Sequence, residues 1–399
     1  MFHRSTRIRS YKPNNSAGIR SPFGGRAKTS KISPAKYISK SQVQAQGSEV
    51  VYETKNQFSD FKIDSRITAN ITGHGYLVPT PIQDQVIPHA LENRDVVGIA
   101  NTGTGKTAAF LVPIIDKILK DPAQKALIVA PTRELAFQIN DELKIFAKNL
   151  PIRSVLVMGG AGMYEQVKRL QSHPNIVIAT VGRLKDLVGR RAINLSEYKT
   201  VVMDEVDRMV DIGFIKDIRY LISLLPSARQ SLFFSATVSP EINMIIRSFA
   251  PNPVTISVKT AETAQNVDQD IIKVTSKEDK IAKLFELLKQ EEFRKVMVFG
   301  RTKWNVEKLA NTLLTAGFNA ASIHGNKTQG QRLKALSMFK NNQLQVLVAT
   351  DVAARGLDID NVSHVINFDE PEDYTAYVHR IGRTGRANKM GKALTFVVS

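Results

Sequence analysis

The sequence contains no cysteine. That absence excludes disulfides, thiolate metal sites and cysteine nucleophiles, and it fits a reducing compartment. No apolar run approaches the ~18 residues that a membrane-spanning helix needs, so no membrane role is expected. Acidic residues are missing from the first 48 positions, which hold ten Lys and Arg; the first acid is Glu49. Repeats of fixed solenoid period are also absent. What remains is an ordinary globular composition, 43% hydrophobic, on a chain of 399 residues, long enough for two cores. The formal net charge of +18 extends beyond the basic start and suits a polyanionic partner, although a solvated basic surface gives the same total.

Residues 1–50 are rich in Ser, Lys, Arg, Gly and Pro without apolar periodicity, and read as a disordered basic tail. From Phe58 short apolar runs alternate with amphipathic stretches. The runs Asp95–Ala100, Ala126–Ala130, Ser154–Met158, Ile176–Ala179, Thr200–Met203 and Ser231–Phe234 have the character of buried parallel strands. Helical patterns at Ala108–Leu119, Glu134–Lys148 and Phe214–Leu224 lie between them. Residues 259–268 are polar and aperiodic, as a linker would be. Alternation resumes with Val296–Phe299, Ala320–Ile323, Val346–Ala349, His364–Phe368 and Ala393–Val398, separated by helical patterns at Lys280–Lys289, Lys303–Leu314 and Gln331–Phe339. The expectation is α/β: two lobes, 51–258 and 269–399, each a parallel sheet covered by helices.

After the first run comes Asn101-Thr102-Gly103-Thr104-Gly105-Lys106-Thr107, opening a helical pattern. Strand, glycine loop and helix form the context of a P-loop. Gly103 and Gly105 let backbone N–H groups turn toward phosphate at a helix N-terminus. Lys106 would reach the terminal phosphates and Thr107 would hold Mg²⁺. The strand Thr200–Met203 runs into Asp204-Glu205-Val206-Asp207, acids that must emerge at the carboxyl edge of a sheet. Asp204 would hold the same Mg²⁺ through water, and Glu205 would orient and deprotonate the attacking water. ATP and Mg²⁺ are the expected cofactors.

Read with the segments that follow, these residues resemble the DEAD-box RNA helicases over roughly residues 58–398. Gly75-Tyr76-Leu77-Val78-Pro79-Thr80-Pro81-Ile82-Gln83 resembles the Q motif, with Phe58 seventeen positions before Gly75. The resemblance implies two tandem RecA-like P-loop domains, Phe58 stacked on adenine and Gln83 reading its edge; Thr102 to Thr107 and Asp351 complete the nucleotide site. It implies RNA-backbone contacts from Arg133 in Pro131–Ala136, from Gly160, and from Arg183 in Thr180-Val181-Gly182-Arg183. In lobe two it implies the same for Arg301, for Arg332 of the Gln329/Arg332 pair, and for Thr350. Arg383 and Arg386, in His379-Arg380-Ile381-Gly382-Arg383-Thr384-Gly385-Arg386, would be arginine fingers on the γ-phosphate. Asp207, Ser235, Thr237 and His379 would couple nucleotide state to RNA. Two positions depart from the family: Val206 stands where Ala is usual and Val181 where Pro is usual.

The implied function is an RNA-stimulated ATPase and helicase that clamps RNA backbone with little sequence preference, acts as a monomer and works in the cytoplasm. An ATP-gated clamp or annealing factor with little unwinding is the alternative. The Arg- and Ser-rich start also fits an organelle transit peptide, against a tethered RNA-binding arm.

Overall fold

The computed structural model describes residues 37, 52, 54–101, 103–258, 267–354, 359, 362–385 and 390–398. Its first sheet holds β1 (Val96–Ala100), β2 (Ala126–Ala130), β3 (Ser154–Val157), β4 (Ile176–Thr180), β5 (Thr200–Met203), β6 (Gln230–Ser235) and β7 (Val254–Val258). The order is β3-β4-β2-β5-β6-β1-β7, with every pair parallel. The second holds β8 (Val267–Val274), β9 (Val296–Phe299), β10 (Ala320–Ile323), β11 (Val346–Ala349), β12 (His364–Asn367) and β13 (Gly391–Val398). Its order is β10-β11-β9-β12-β13-β8, again wholly parallel.

Alternate strand residues point to opposite faces, and here both faces are covered. In lobe one Val96, Ile128, Val202 and Phe234 pack into one apolar cluster, while their neighbours Val97, Val129, Val201 and Phe233 pack into another. In lobe two Met297, Leu347 and Val365 go to one face, and Val296, Val346 and Ile366 to the other. Strands buried on both faces must be continuously apolar, which is why they stand out in the sequence.

Two strands lack that signature. β7 (Val-Thr-Ile-Ser-Val) carries polar residues at alternate positions, β8 (Val-Asp-Gln-Asp-Ile-Ile-Lys-Val) interrupts its apolar residues with Asp, Gln and Lys, and each is an outer strand of its sheet. β8 begins at Val267, two residues inside the stretch expected to be linker; Val267 is buried against lobe two. Residues 259–266 lie outside the described set.

The tail expected over 1–50 also lies outside it, apart from Tyr37. That ring is 0% exposed and packs 4.9 Å from the Tyr377 ring in the lobe-two core. An aromatic in a basic, aperiodic stretch carries no periodic signal, so this anchor is invisible to pattern reading. Burial pushes the Tyr37 hydroxyl up to about 12, so the anchor stays neutral. Among the described residues no helix is long and apolar enough to cross a membrane.

Candidate nucleotide and RNA site

Most of the segments singled out above leave the carboxyl edge of a sheet, the edge where open α/β sheets bind ligands, whereas residues 75–83 precede β1. In lobe one the loop from Asn101 follows β1, Arg133 follows β2, Gly159 and Gly160 follow β3, Val181 follows β4, Asp204 follows β5 and Ser235 ends β6. In lobe two Arg301 follows β9, Thr350 follows β11 and Asp369 follows β12.

The loop after β1 turns through left-handed backbone at Gly103 (φ 81°) and Gly105 (φ 93°), a region that glycine enters without strain. Gly105 precedes the helix Lys106–Lys120. Lys106 Nζ folds back onto the Ala100 carbonyl at 2.7 Å, and Thr104 Oγ1 donates to Asn101 O at 2.8 Å. Thr107 lies in the first helical turn. Gln83 sits beneath this loop, fully buried. Its Oε1 accepts from Thr80 N at 2.9 Å and its Nε2 donates to Gly105 O at 3.0 Å. The amide therefore fastens the helix Pro81–Leu91 to the phosphate loop; an amide has one further donor and acceptor beyond these two bonds. Phe58 is 1% exposed, edge-on to Phe61 at 6.0 Å in the lobe-one core, and so offers no open ring face for a base.

Asp204 is buried beside the loop. Burial pushes its carboxyl up to about 7 against the opposing charge of Lys106, with Glu205 and Asp207 adding to the rise. Its Oδ1 accepts from Glu205 N at 2.9 Å. Glu205 is a non-glycine residue in left-handed backbone (φ 52°, ψ 53°), a conformation that persists only where surroundings impose it. Its Oε2 meets Arg208 Nη1 at 3.3 Å. Val206 is buried in the second apolar cluster of lobe one, where its methyls find contacts. Asp207 gathers the loop after β6. Its Oδ2 accepts from Ala236 N and Thr237 N, both at 3.1 Å, and its own N–H donates to Ser235 Oγ at 3.3 Å. Ser235 Oγ donates in turn to Thr237 O at 2.7 Å.

Three of the expected RNA-backbone segments converge. Arg133 is the first residue of the helix Arg133–Phe146, capped by Thr132, and its guanidinium lies on the Gly159–Gly160 turn so closely that a Cβ on Gly160 would overlap it. Arg183 Nη1 and Nη2 donate to the next carbonyl, Ala161 O, at 3.2 and 3.3 Å. Two guanidinium groups thus share one turn. Val181 is buried and starts the helix Val181–Gly189, a first-turn position that a proline would also suit.

In lobe two some of the expected ligand residues are engaged by protein partners. Arg332 is not directed to an open groove. Its Nη2 pairs with Glu134 Oε2 of lobe one at 3.1 Å, while Gln329 Nε2 donates to Glu134 Oε1 at 3.1 Å. Glu134 is buried, and a buried carboxylate draws in whatever cations face it. Asp351 is likewise engaged inside its own lobe: Arg380 Nε and Nη2 grip it at 2.6 and 2.7 Å. Arg380 is fully buried, holds Asn367 Oδ1 at 3.2 Å and Asp369 O at 2.6 Å, and lies over the Phe299 ring. Arg301 is exposed, with its N–H on Asp369 Oδ2 at 2.8 Å. Thr350 caps the short helix Asp351–Ala354 through its carbonyl. His379 sits in the last turn of the helix Tyr374–Ile381, and its carbonyl accepts from Arg383 Nε at 3.3 Å; Arg383 is buried. Thr102 and Arg386 lie outside the described residues.

Sequence reading missed three participants: Glu134, Arg380 and Arg208. Glu134 and Arg380 sit inside recognised segments and Arg208 directly follows one, but each has a partner on another element, so spacing carries no trace of that contact. Arg208 Nη2 donates to Val352 O of lobe two at 3.1 Å, and with Glu134 it joins the lobes.

A profile of the DEAD/DEAH box helicase family matches residues 80–245, and one of the helicase conserved C-terminal domain matches residues 279–388. The chain is 46% identical to the ATP-dependent RNA helicase CshA of Limosilactobacillus reuteri, across 86% of this chain and 69% of that one. It is also 46% identical to the DEAD-box ATP-dependent RNA helicase CshA of Bacillus subtilis, across 85% and 69%. Among solved structures it resembles Dbp5 of S. cerevisiae bound to RNA and ADP BeF3, with a TM-score of 0.74 at 27% identity, covering 86% of this chain and 89% of that one. With matching profiles in both lobes and close relatives along most of its length, the chain belongs to the DEAD-box helicase family.

Proposed function

We propose that the protein is an ATP-dependent RNA helicase that couples ATP binding and hydrolysis to RNA clamping and local duplex unwinding. The observation that carries this reading is the meeting of the glycine loop and the buried Asp204–Glu205 pair at one edge of the lobe-one sheet, with the Lys106 charge acting on Asp204. Similarity to curated ATP-dependent RNA helicases supports the activity, and similarity to an RNA-bound Dbp5 structure supports the substrate class.

The glycine turns of the loop suit backbone N–H groups turned toward a triphosphate, and Lys106 Nζ, which donates to the Ala100 carbonyl, would release it to reach a phosphate. Thr107 and Asp204 supply hard oxygen donors suited to Mg²⁺. Among the described residues no cluster of three acids or histidines builds a cage by itself, which suits an ion held partly by phosphate and water. Mg²⁺ bound there would neutralise charge developing on the transferred phosphoryl group. Glu205 accepts the proton of the attacking water, and Arg383 stabilises charge from lobe two. Arg133, Arg183 and the Gly159–Ala161 turn hold RNA phosphates, with Arg301 and Thr350 on the other lobe. Such contacts position the strand without reading sequence. Asp207, Ser235 and Thr237 carry nucleotide state toward that surface, with His379 on the facing lobe. We further assign the protein a monomeric state and a cytoplasmic location.

The test is phosphate release with single-stranded RNA, with single-stranded DNA and without nucleic acid, alongside displacement of a short RNA duplex. Strong stimulation by RNA alone, with strand release, is expected, and Glu205→Gln should stop turnover while RNA remains bound. Turnover indifferent to RNA would overturn the reading. RNA-stimulated turnover without strand release would select the clamp alternative.

A further inference from the structure

Arg208 stands next to the hydrolytic acids, with one guanidinium arm on Glu205 and the other on lobe two. We infer that it is a positioning residue which aims the Glu205 carboxylate only while the two lobes are closed; this rests on the assignment of Glu205 as the base.

The helix Val206–Asp211 begins directly after Glu205, and the i,i+3 spacing brings Arg208 Nη1 to Glu205 Oε2 at 3.3 Å. Both side chains are buried, 7% and 8% exposed, so water does not compete strongly for either. The other arm of the same guanidinium, Nη2, donates to the Val352 carbonyl of lobe two at 3.1 Å. That acceptor is a fixed post. Its neighbour Asp351 is gripped twice by Arg380, which is itself tied to Asn367 and Asp369. A guanidinium is planar, with its donors in a rigid fork, so orientation set at one arm is transmitted to the other.

The carboxylate has few other constraints. Left-handed backbone at Glu205 and the Asp204 Oδ1 bond to its N–H fix where the side chain leaves the chain. The Arg208 contact fixes where it ends, and it engages Oε2, leaving Oε1 to the attacking water. When the lobes separate, Nη2 loses the Val352 carbonyl and the fork can turn. The base is then no longer held on line. Through this link, RNA-driven closure controls the aim of the base as well as the approach of Arg383.

Lysine at position 208 keeps the charge but offers a single ammonium in place of the fork. Single-turnover phosphate release at saturating ATP and RNA is compared for wild type, Arg208→Lys and Arg208→Gln, each also in a Glu205→Gln background. Misaiming a base by ~1 Å costs about 10²-fold in rate. Both variants should lose that factor in kcat at saturating RNA, with KM for ATP unchanged. The half-stimulating RNA concentration should rise because the Val352 contact across the lobes is lost. Arg208→Lys, which keeps the charge beside Glu205, should keep its melting temperature. In the Glu205→Gln background neither should reduce the residual rate further, because there is no base left to aim. A near-wild-type kcat at saturating RNA, an equal loss in both backgrounds, or a kcat loss in Arg208→Lys matched by a fall in melting temperature would each overturn the inference; the last marks a structural ion pair. If Glu205→Gln itself turns over like wild type, the base assignment fails first, and that outcome is read before any Arg208 variant is considered.

Discussion

Replacing Glu134 with alanine should damage lobe closure while sparing nucleotide binding. Glu134 is 3% exposed by side chain and accepts from Arg332 and Gln329 across the lobe boundary, each at 3.1 Å. Removing one partner of a buried ion pair costs about 3–5 kcal/mol, because the other charge stays buried and uncompensated. Arg332 keeps 14% exposure, which places the effect at the lower end, about 3 kcal/mol. In the open arrangement water can solvate Arg332, so the penalty falls on closure alone. At 1.4 kcal/mol per decade, that is roughly a 100-fold shift away from the closed state. The absence of cysteine makes this measurable: dyes attached at Ser172→Cys and Gln290→Cys report lobe separation with no background labelling. At saturating non-hydrolysable nucleotide, the RNA concentration giving half-maximal energy transfer should rise on the order of 100-fold in Glu134→Ala. Adding Arg332→Ala should recover part of the loss, since no stranded cation remains. An unchanged RNA midpoint in the single variant would refute the interlobe role, and strictly additive effects would refute the pairing.

Other substitutions probe the glycine turns and the lobe-two core. Gly105→Ala places a side chain at φ 93° and against Gln83 Nε2; left-handed backbone costs about 1–2 kcal/mol for such a residue. Urea melts should show that loss, and ATP titration should show weaker binding as the loop shifts from Gln83. Gly160→Ala should push Arg133 from its turn and weaken single-stranded RNA binding by anisotropy, without altering the KM for ATP measured at saturating RNA. His364, stacked 3.8 Å from Phe293, is held down to about 4, first by burial and then by Lys392. An unfolded histidine takes its proton near pH 6.5, so stability is retained above that value and falls as pH drops from 6.5 toward 4. His364→Phe keeps the stacked ring and removes the proton site; urea melts at pH 7 and pH 5 should show a smaller acid loss than wild type. An equal loss would assign the acid sensitivity elsewhere.

How much was legible follows from where each residue gets its constraint. Central strands such as β2 and β11 are dry on both faces, so Ala-Leu-Ile-Val-Ala and Val-Leu-Val-Ala announce themselves. β7 and β8 lie at sheet edges, where burial is less complete, and their Thr, Ser, Asp and Lys residues disguise them as loop. The glycine loop, Asp204–Glu205 and Ser235–Thr237 are legible because local chemistry fixes their spacing along the chain. Arg332 and Asp351 are read as ligand contacts from resemblance alone; the protein partners the structure gives them, Glu134 and Arg380, are 198 and 29 positions away and leave no local signal. The left-handed backbone of Glu205 has no sequence signal either, since glutamate is an ordinary helix former and the conformation is imposed by the Asp204 bond and the strand end.

Tyr37 changes how the two lobes are connected. The covalent link between them runs through residues 259–266, from the outer strand of one sheet to the outer strand of the other. Upstream, the chain is fixed to lobe one by Tyr52, whose hydroxyl donates to Asp84 Oδ2 at 2.7 Å, and by the Asn56 and Lys55 amides on the same carboxylate. Fifteen residues before Tyr52, Tyr37 is buried in lobe two. Lobe one, linker, lobe two and the Tyr37 plug therefore close a circuit, in which the return segment can span at most ~50 Å when fully drawn out. A hinge with a single connection can swing until its own linker stops it. A circuit of this kind has a second limit: opening that outruns the return segment must pull the Tyr37 ring away from Tyr377, on the very helix that carries His379, Arg380 and the approach to Arg383. The widest excursions of the motor are thereby coupled to the packing of its own arginine-bearing helix.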